Sequence, residues 1–172
     1  MNRLANHRLH RACAALSPSD YAAPRSGFFP SIRATLNHIL HVDRFYINAM
    51  EGHRLDRALL EETKGLETLE NLIARQANCD TRLLALVGAM TPEWLSRIVV
   101  VDRGDREQRD RMDDLLSHLF QHQTHHRGQV HAMLSSSPVV PPQLDELIVG
   151  DDAVARAGEL AALGWTEADL TR

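Results

Sequence analysis

Five of the chain's ten histidines fall between His118 and His131, inside a stretch running Leu115-Leu-Ser-His-Leu-Phe-Gln-His-Gln-Thr-His-His-Arg-Gly-Gln-Val-His-Ala-Met-Leu134. Its leucines, phenylalanine and methionine would suit a core helix. Neutral imidazole is a lone-pair donor to several transition metals, a general base near neutral pH, and an ordinary hydrogen-bonding group at helix interfaces. Which of these applies depends on which way each ring points.

With Leu115 set to zero and about 100° per residue, Leu119 falls at about +40°, His122 at about −20°, His126 at about +20°, Val130 at about +60° and Met133 at about 0°. His122 and His126 therefore sit in the middle of the apolar seam. His118 and His125, at about −60° and −80°, lie at its edge, and His131, at about +160°, faces water. The inward pair is spaced i, i+4, the separation at which two imidazoles on one helix face reach a single metal ion. Alone, such a pair is also compatible with hydrogen-bonded interfacial histidines, and a third ligand from another helix is what would decide for a metal.

A second run, Leu36-Asn-His-Ile-Leu-His-Val-Asp-Arg44, offers His38 and His41. On the same construction from Ile32, His38 at about −120° joins the apolar flank with Val42, Phe45 and Ala49, whereas His41 at about 180° lies nearer the polar side. His38 is the better candidate. Asp43, at about +20°, points inward, as a buried ion-pair partner or as a carboxylate that orients a ligand histidine. On the histidine-rich helix Arg127, at about +120°, lies off the seam and is expected to pair with a carboxylate or a neighbouring subunit. Gln129 could reach toward the pocket as a hydrogen-bonding partner, and Gly128 suggests close helix packing. No serine, cysteine or carboxylate is placed as an obvious nucleophile or base. His7, His10 and His53 read as surface residues, and Cys13 and Cys79 as small buried ones, without the paired spacing of a metal or redox motif.

The elements that must position these groups are helices. A first spans residues 2–16, before the break Ser17-Pro-Ser-Asp20. After the turn-like stretch from Tyr21 to Pro30, Ser31 caps a second that carries Ile32, Leu36, Ile39, Leu40, Ile47 and Met50 and is closed by Gly52. A third runs from about Leu66 to Met90. Thr91-Pro-Glu-Trp-Leu95 breaks it, and Ile98-Val-Val-Val101 with Asp102-Arg-Gly-Asp105 predicts a short β-hairpin or an extended crossover. The histidine-rich helix, about Arg109 to Ser136, ends at Ser135-Ser-Ser-Pro138. A last short helix covers Ala153–Leu163. Four long helices with one extended connection predict an all-α four-helix bundle, in a single domain over 1–172.

The sequence has 172 residues, a net charge of −4 and 44% hydrophobic and 24% charged residues. That is the balance of a soluble globular protein. Scattered basic residues exclude the phosphate-neutralising stripe of a nucleic-acid binder. No window reaches the roughly 18 apolar residues of a membrane span. The charged N-terminus is no signal peptide, so a cytoplasmic protein is expected.

Thr35-Leu-Asn-His-Ile-Leu-His-Val-Asp-Arg-Phe-Tyr46 and His118-Leu-Phe-Gln-His-Gln-Thr-His-His-Arg-Gly-Gln-Val130, with the preceding Gly27-Phe-Phe-Pro-Ser-Ile32 and the closing Pro142-Gln-Leu-Asp145, resemble the DinB family of bacterial damage-inducible proteins. The resemblance extends over nearly the whole chain. It departs at the start, which falls within the first helix, and at Gln121, where asparagine is frequent. The resemblance implies a four-helix bundle, often dimeric, in which His38, His122 and His126 hold a divalent metal. Zinc or nickel comes first, with iron, cobalt or manganese also suited to imidazole. It chooses His126 over His125. Some members are thiol-dependent transferases or isomerases, so the expectation is a metal-dependent transferase or hydrolase acting on a small molecule with a low-molecular-weight thiol, as a homodimer. The alternative is a non-enzymatic, stress-related dimeric bundle with a structural metal or none.

Overall fold

The computed structural model describes residues 1–53, 68–146 and 148–171. Four long helices form the body: α1 (Asn2–Cys13), α3 (Ile32–Met50), α4 (Leu69–Gly88) and α6 (Met112–Leu134). Two short helices, α2 (Pro18–Ala22) and α5 (Pro92–Leu95), and a hairpin of β1 (Ile98–Asp102) and β2 (Glu107–Arg111) connect them. A 3₁₀ turn (Gly150–Asp152), α7 (Ala153–Ala162) and α8 (Ala168–Thr171) follow. The expected bundle and the expected hairpin are both present.

Caps explain the boundaries. Ser31 Oγ accepts from the Ala34 amide at 3.1 Å, and Thr68 Oγ1 from the Asn71 amide at 3.3 Å, each satisfying a donor that the first turn leaves unpaired. Two breaks in the pattern turn out to be starts. Ser17 and Thr91 each precede a proline and cap the short helices α2 and α5, because proline at the first helical position lacks only a donor that would be unused. The first helix accordingly ends at Cys13 rather than residue 16, and the chain turns through Ala14 to Leu16 into α2. The third long helix stops at Gly88, and Leu66 lies outside the described residues.

Around the bundle the helices follow the order α1, α4, α3, α6, with α3 packed on both α4 and α6 and α1 on both as well. The core is built from Leu9 and Cys13 of α1, Ile32, Leu36, Ile39, Ile47 and Met50 of α3, Leu72 and Leu83 of α4, and Leu115, Leu119, Val130 and Met133 of α6. Burying a leucine or isoleucine of this kind contributes about 1.5–3 kcal/mol. The hairpin adds Val99 and Val101 to the same core, alternate residues of one strand face. Its strands pair antiparallel from Ile98 opposite Arg111 to Asp102 opposite Glu107. At the tip Gly104 has φ of 88°, and its amide donates to Asp102 Oδ1 at 2.8 Å. The C-terminal elements close over the outer side of α1, where Leu4, Leu160 and Leu170 form a small cluster. Arg8 pairs there with Glu159 at 2.6 Å. Among the described residues no helix is long and apolar enough to cross a membrane.

Candidate metal centre

The buried residues of α6 form a stripe from Leu115 and Met133 through Leu119, Val130 and Gln123 to Leu116, Arg127 and Leu134. On the helical wheel this stripe is centred at about +60° from Leu115. His122 and His126 therefore sit on one flank of the seam and not in its middle, with His126 buried and His122 half-buried. On α3 the buried stripe is centred close to Ile32, and half-buried His38 likewise falls on its flank. The two flanks meet along the α3–α6 contact, which makes a three-histidine group at the margin of the core.

One ring nitrogen from each of the three lies within 4.8 Å of those of the other two. His38 Nε2 and His122 Nε2 are 3.0 Å apart. The ring centroids stand at 4.9 Å for His38 and His122, 4.6 Å for His38 and His126, and 4.4 Å for His122 and His126. Burial, reinforced by the neighbouring imidazoles, holds His38 and His122 down at about 4, and burial lowers His126 as well. All three rings are thus neutral at pH 7, each with one lone-pair nitrogen.

Hydrogen bonds select the nitrogen of His126. Its Nδ1 donates to Gln129 Oε1 at 2.7 Å, since an amide oxygen can only accept, and this leaves Nε2 with the lone pair. Gln129 Nε2 in turn donates to His125 Nε2 at 3.1 Å. The exposed His125 is thereby tied to Gln129. Phe29, from the segment before α3, covers the cluster, with its ring centroid 4.4 Å from His38 and 5.7 Å from His126. His122 Nδ1 is buried without a hydrogen-bond partner among the described residues.

The sequence profile of the DinB family matches residues 1–156 of the chain. The chain belongs to the DinB family. No curated protein matches it. This DinB chain carries its three histidines on α3 and α6, on the motifs quoted above from each helix.

Several neighbours of the DinB histidines stand differently from expectation. Asp43 is completely buried, but its Oδ2 accepts from Gln76 and Gln123, and among the described hydrogen bonds none joins it to a histidine. It does not orient a ligand ring. Arg127 is turned into the bundle, 8% exposed, because a guanidinium on the shoulder of the stripe reaches the polar side chains of α1. Its Nη1 donates to Asn6 Oδ1 at 2.9 Å, to Asn2 Oδ1 and to Gln123 Oε1, amide oxygens in place of the expected carboxylate. Asn6 Nδ2 continues to Asp80 Oδ1 at 2.9 Å. Gly128 permits no close helix approach, since a Cβ there would meet nothing within 4 Å. It lines a cavity of about 840 Å³ on the side of α6 away from the triad, shared with half-buried His131, which was expected to face water.

His10 is buried as well, 7% exposed, and burial holds its imidazole down at about 4. His7 is half-buried against Trp165, at 5.6 Å between ring centroids, while His53 is exposed as expected. Cys13 and Cys79 are buried free thiols pushed up to about 12, unreactive at neutral pH.

Proposed function

We propose that the chain binds a divalent metal through His38, His122 and His126 and is a metal-dependent enzyme of the thiol-dependent transferase or hydrolase type. The observation that carries this reading is the convergence of three neutral imidazoles from two helices within 4.8 Å, one of them oriented by Gln129. The donor set fits. The 3.0 Å contact between His38 and His122 needs one N–H and one lone pair, a proton that a cation can replace. A tetrahedral ion with Zn–N of about 2.0–2.1 Å keeps its ligand atoms about 3.3 Å apart.

Three protein ligands leave open positions, the mark of a catalytic rather than a closed structural site. The chemistry such an ion supplies when bound is acidification of a water or thiol, or polarisation of a carbonyl. Imidazole suits zinc or nickel first, and iron, cobalt or manganese also. The chain's own part is to orient the ligands through Gln129, to keep them uncharged by burial, and to exclude water on one side with Phe29. The small-molecule substrate, the low-molecular-weight thiol and a homodimeric assembly belong to the same proposal.

The test is metal content of the untagged protein beside the single variants His38→Ala, His122→Ala and His126→Ala. Near-unchanged metal in all three would sink the site. Incubation of the loaded protein with a panel of thiols and electrophiles separates enzyme from binding module, and sedimentation at micromolar concentration reads the assembly.

A further inference from the structure

A second cavity, of about 370 Å³, opens beside the triad, and His122 is one of the residues that line it. His41, Val42, Phe45 and Tyr46 of α3, His118 of α6 and Arg103 from the hairpin tip complete the lining of a largely aromatic chamber. The Arg103 Cζ lies 4.9 Å from the Phe45 ring centroid and 5.6 Å from that of Tyr46. Its Nη2 donates to Tyr46 Oη at 2.9 Å, and its Nε to Gln108 Oε1 at 2.8 Å.

These contacts fix the guanidinium and still leave it chemically unspent. Among the described residues no carboxylate pairs with Arg103, and its Nη1 has no protein acceptor. The Tyr46 hydroxyl accepts from Arg103, so its own proton is available to donate toward the same point. Among the described residues no acidic side chain lines the chamber, in a chain whose net charge is −4. A planar guanidinium with free N–H groups, clamped on aromatic faces beside a phenol donor, is suited to receive a carboxylate, and the rings below it to receive an apolar body.

We propose that Arg103, with Tyr46, is the anion-recognising end of the substrate pocket, and that the substrate is a small carboxylate with an apolar or aromatic body whose other end points toward His122. The orientation rests on the triad being the reacting centre. The recognition of the carboxylate does not, since Arg103 comes from the hairpin and touches none of the three histidines.

The experiment titrates benzoate and its neutral isostere benzamide into the full-length protein, metal-loaded and metal-free, and follows binding by ligand-observed NMR. Metal content is measured on the same samples. Benzoate is expected to bind at least about tenfold more tightly than benzamide, and Arg103→Gln to remove that preference while leaving the metal content unchanged, as befits the loss of a hydrogen bond to a charged group. Arg103→Lys, which keeps the charge without the planar fork, restores part of the preference. An Arg103-dependent preference for benzoate that persists in metal-free protein supports the pocket even if the triad binds no metal. Equal benzoate affinity in the native chain and Arg103→Gln overturns the pocket and leaves the metal reading standing. Failure of the native chain to bind benzoate at about 10 mM also overturns it.

Discussion

The side-chain oxygen of Gln129 sits 2.7 Å from Nδ1 of His126, one turn earlier on the same helix. Groups that hold the far nitrogen of a ligand histidine fix its tautomer and ring angle, and their loss commonly weakens metal binding about 10–100-fold. Gln129→Leu is therefore expected to lower metal affinity by that factor in a competitive chelator titration, with His125→Ala close to unchanged. Equal losses in the two variants would count against an orienting role for Gln129.

A different side chain controls the pH response. Complete burial pushes the Asp43 carboxyl up to about 7, against hydrogen bonds from Gln76 and Gln123 that favour the anion. A folded value above the unfolded one of about 3.9 means that the folded state holds the extra proton between the two. Stability from this group is thus full below about pH 4 and lost as pH rises through 7. Asp43→Asn keeps an acceptor for both glutamines and has no proton to lose. In urea unfolding at pH 4, 6 and 8, the variant should gain on the native protein by on the order of 4 kcal/mol across the series. His10, lowered to about 4, titrates in both proteins and cancels in the difference, whereas Asp80, raised to about 6, repels the Asp43 anion and so adds to the same upward trend with pH. A difference that stays flat with pH would mean that Asp43 ionises normally.

Arg127 is the buried cation of the same polar region. Its replacement by methionine, similar in length, strands the Asn2, Asn6 and Gln123 oxygens and takes from Asp80 the stronger of the two positive charges, Arg127 and Arg3, that favour its anion. Removing one side of a buried charged arrangement costs about 3–5 kcal/mol. The urea midpoint of Arg127→Met should fall accordingly while its metal content stays near normal. Arg127→Lys should recover only part of the loss, because one ammonium cannot span three acceptors on two helices.

At the hairpin tip, Gly104 adopts a φ of 88° that a side chain resists. Gly104→Ala should cost about 1 kcal/mol, or roughly 2–4 °C in Tm for a chain of this size. An unchanged Tm would show that the turn relaxes freely.

Periodicity made the four long helices and the hairpin legible, because each buries one face and the spacing of that face is visible in one dimension. His38, His122 and His126 were legible for a related reason: two wheels and the DinB-like motifs pointed to the same three rings. The angle of approach was less accessible. The apolar residues alone centre the fourth long helix near His126, whereas the structure turns it toward Gln123 and Arg127, which are buried against polar partners on other helices. Long-range amide and carboxylate pairing leaves no local periodic signal, so Asp43, Gln76, Asp80 and Arg127 could not be joined from spacing. Phe29 and Arg103 meet the site from turns, where only their position in the fold gives them a role. Two signals were present and differently interpretable: Ser17-Pro18 and Thr91-Pro92 are as good at beginning helices as at ending them.

The chain of side chains from Asp43 through Gln76 and Gln123 to Arg127, Asn6 and Asp80 touches all four long helices. Helices that met only through leucines could slip past one another by a turn, about 5.4 Å, at little loss of apolar contact. These directional bonds allow a single vertical alignment. A slip of one turn between α3 and α6 would exceed the 4.8 Å within which the three imidazoles are gathered. The polar belt thus acts as an indexing pin: it sets the spacing of the histidines by itself, so that a metal ion would find its ligands assembled and would not have to organise the bundle around itself.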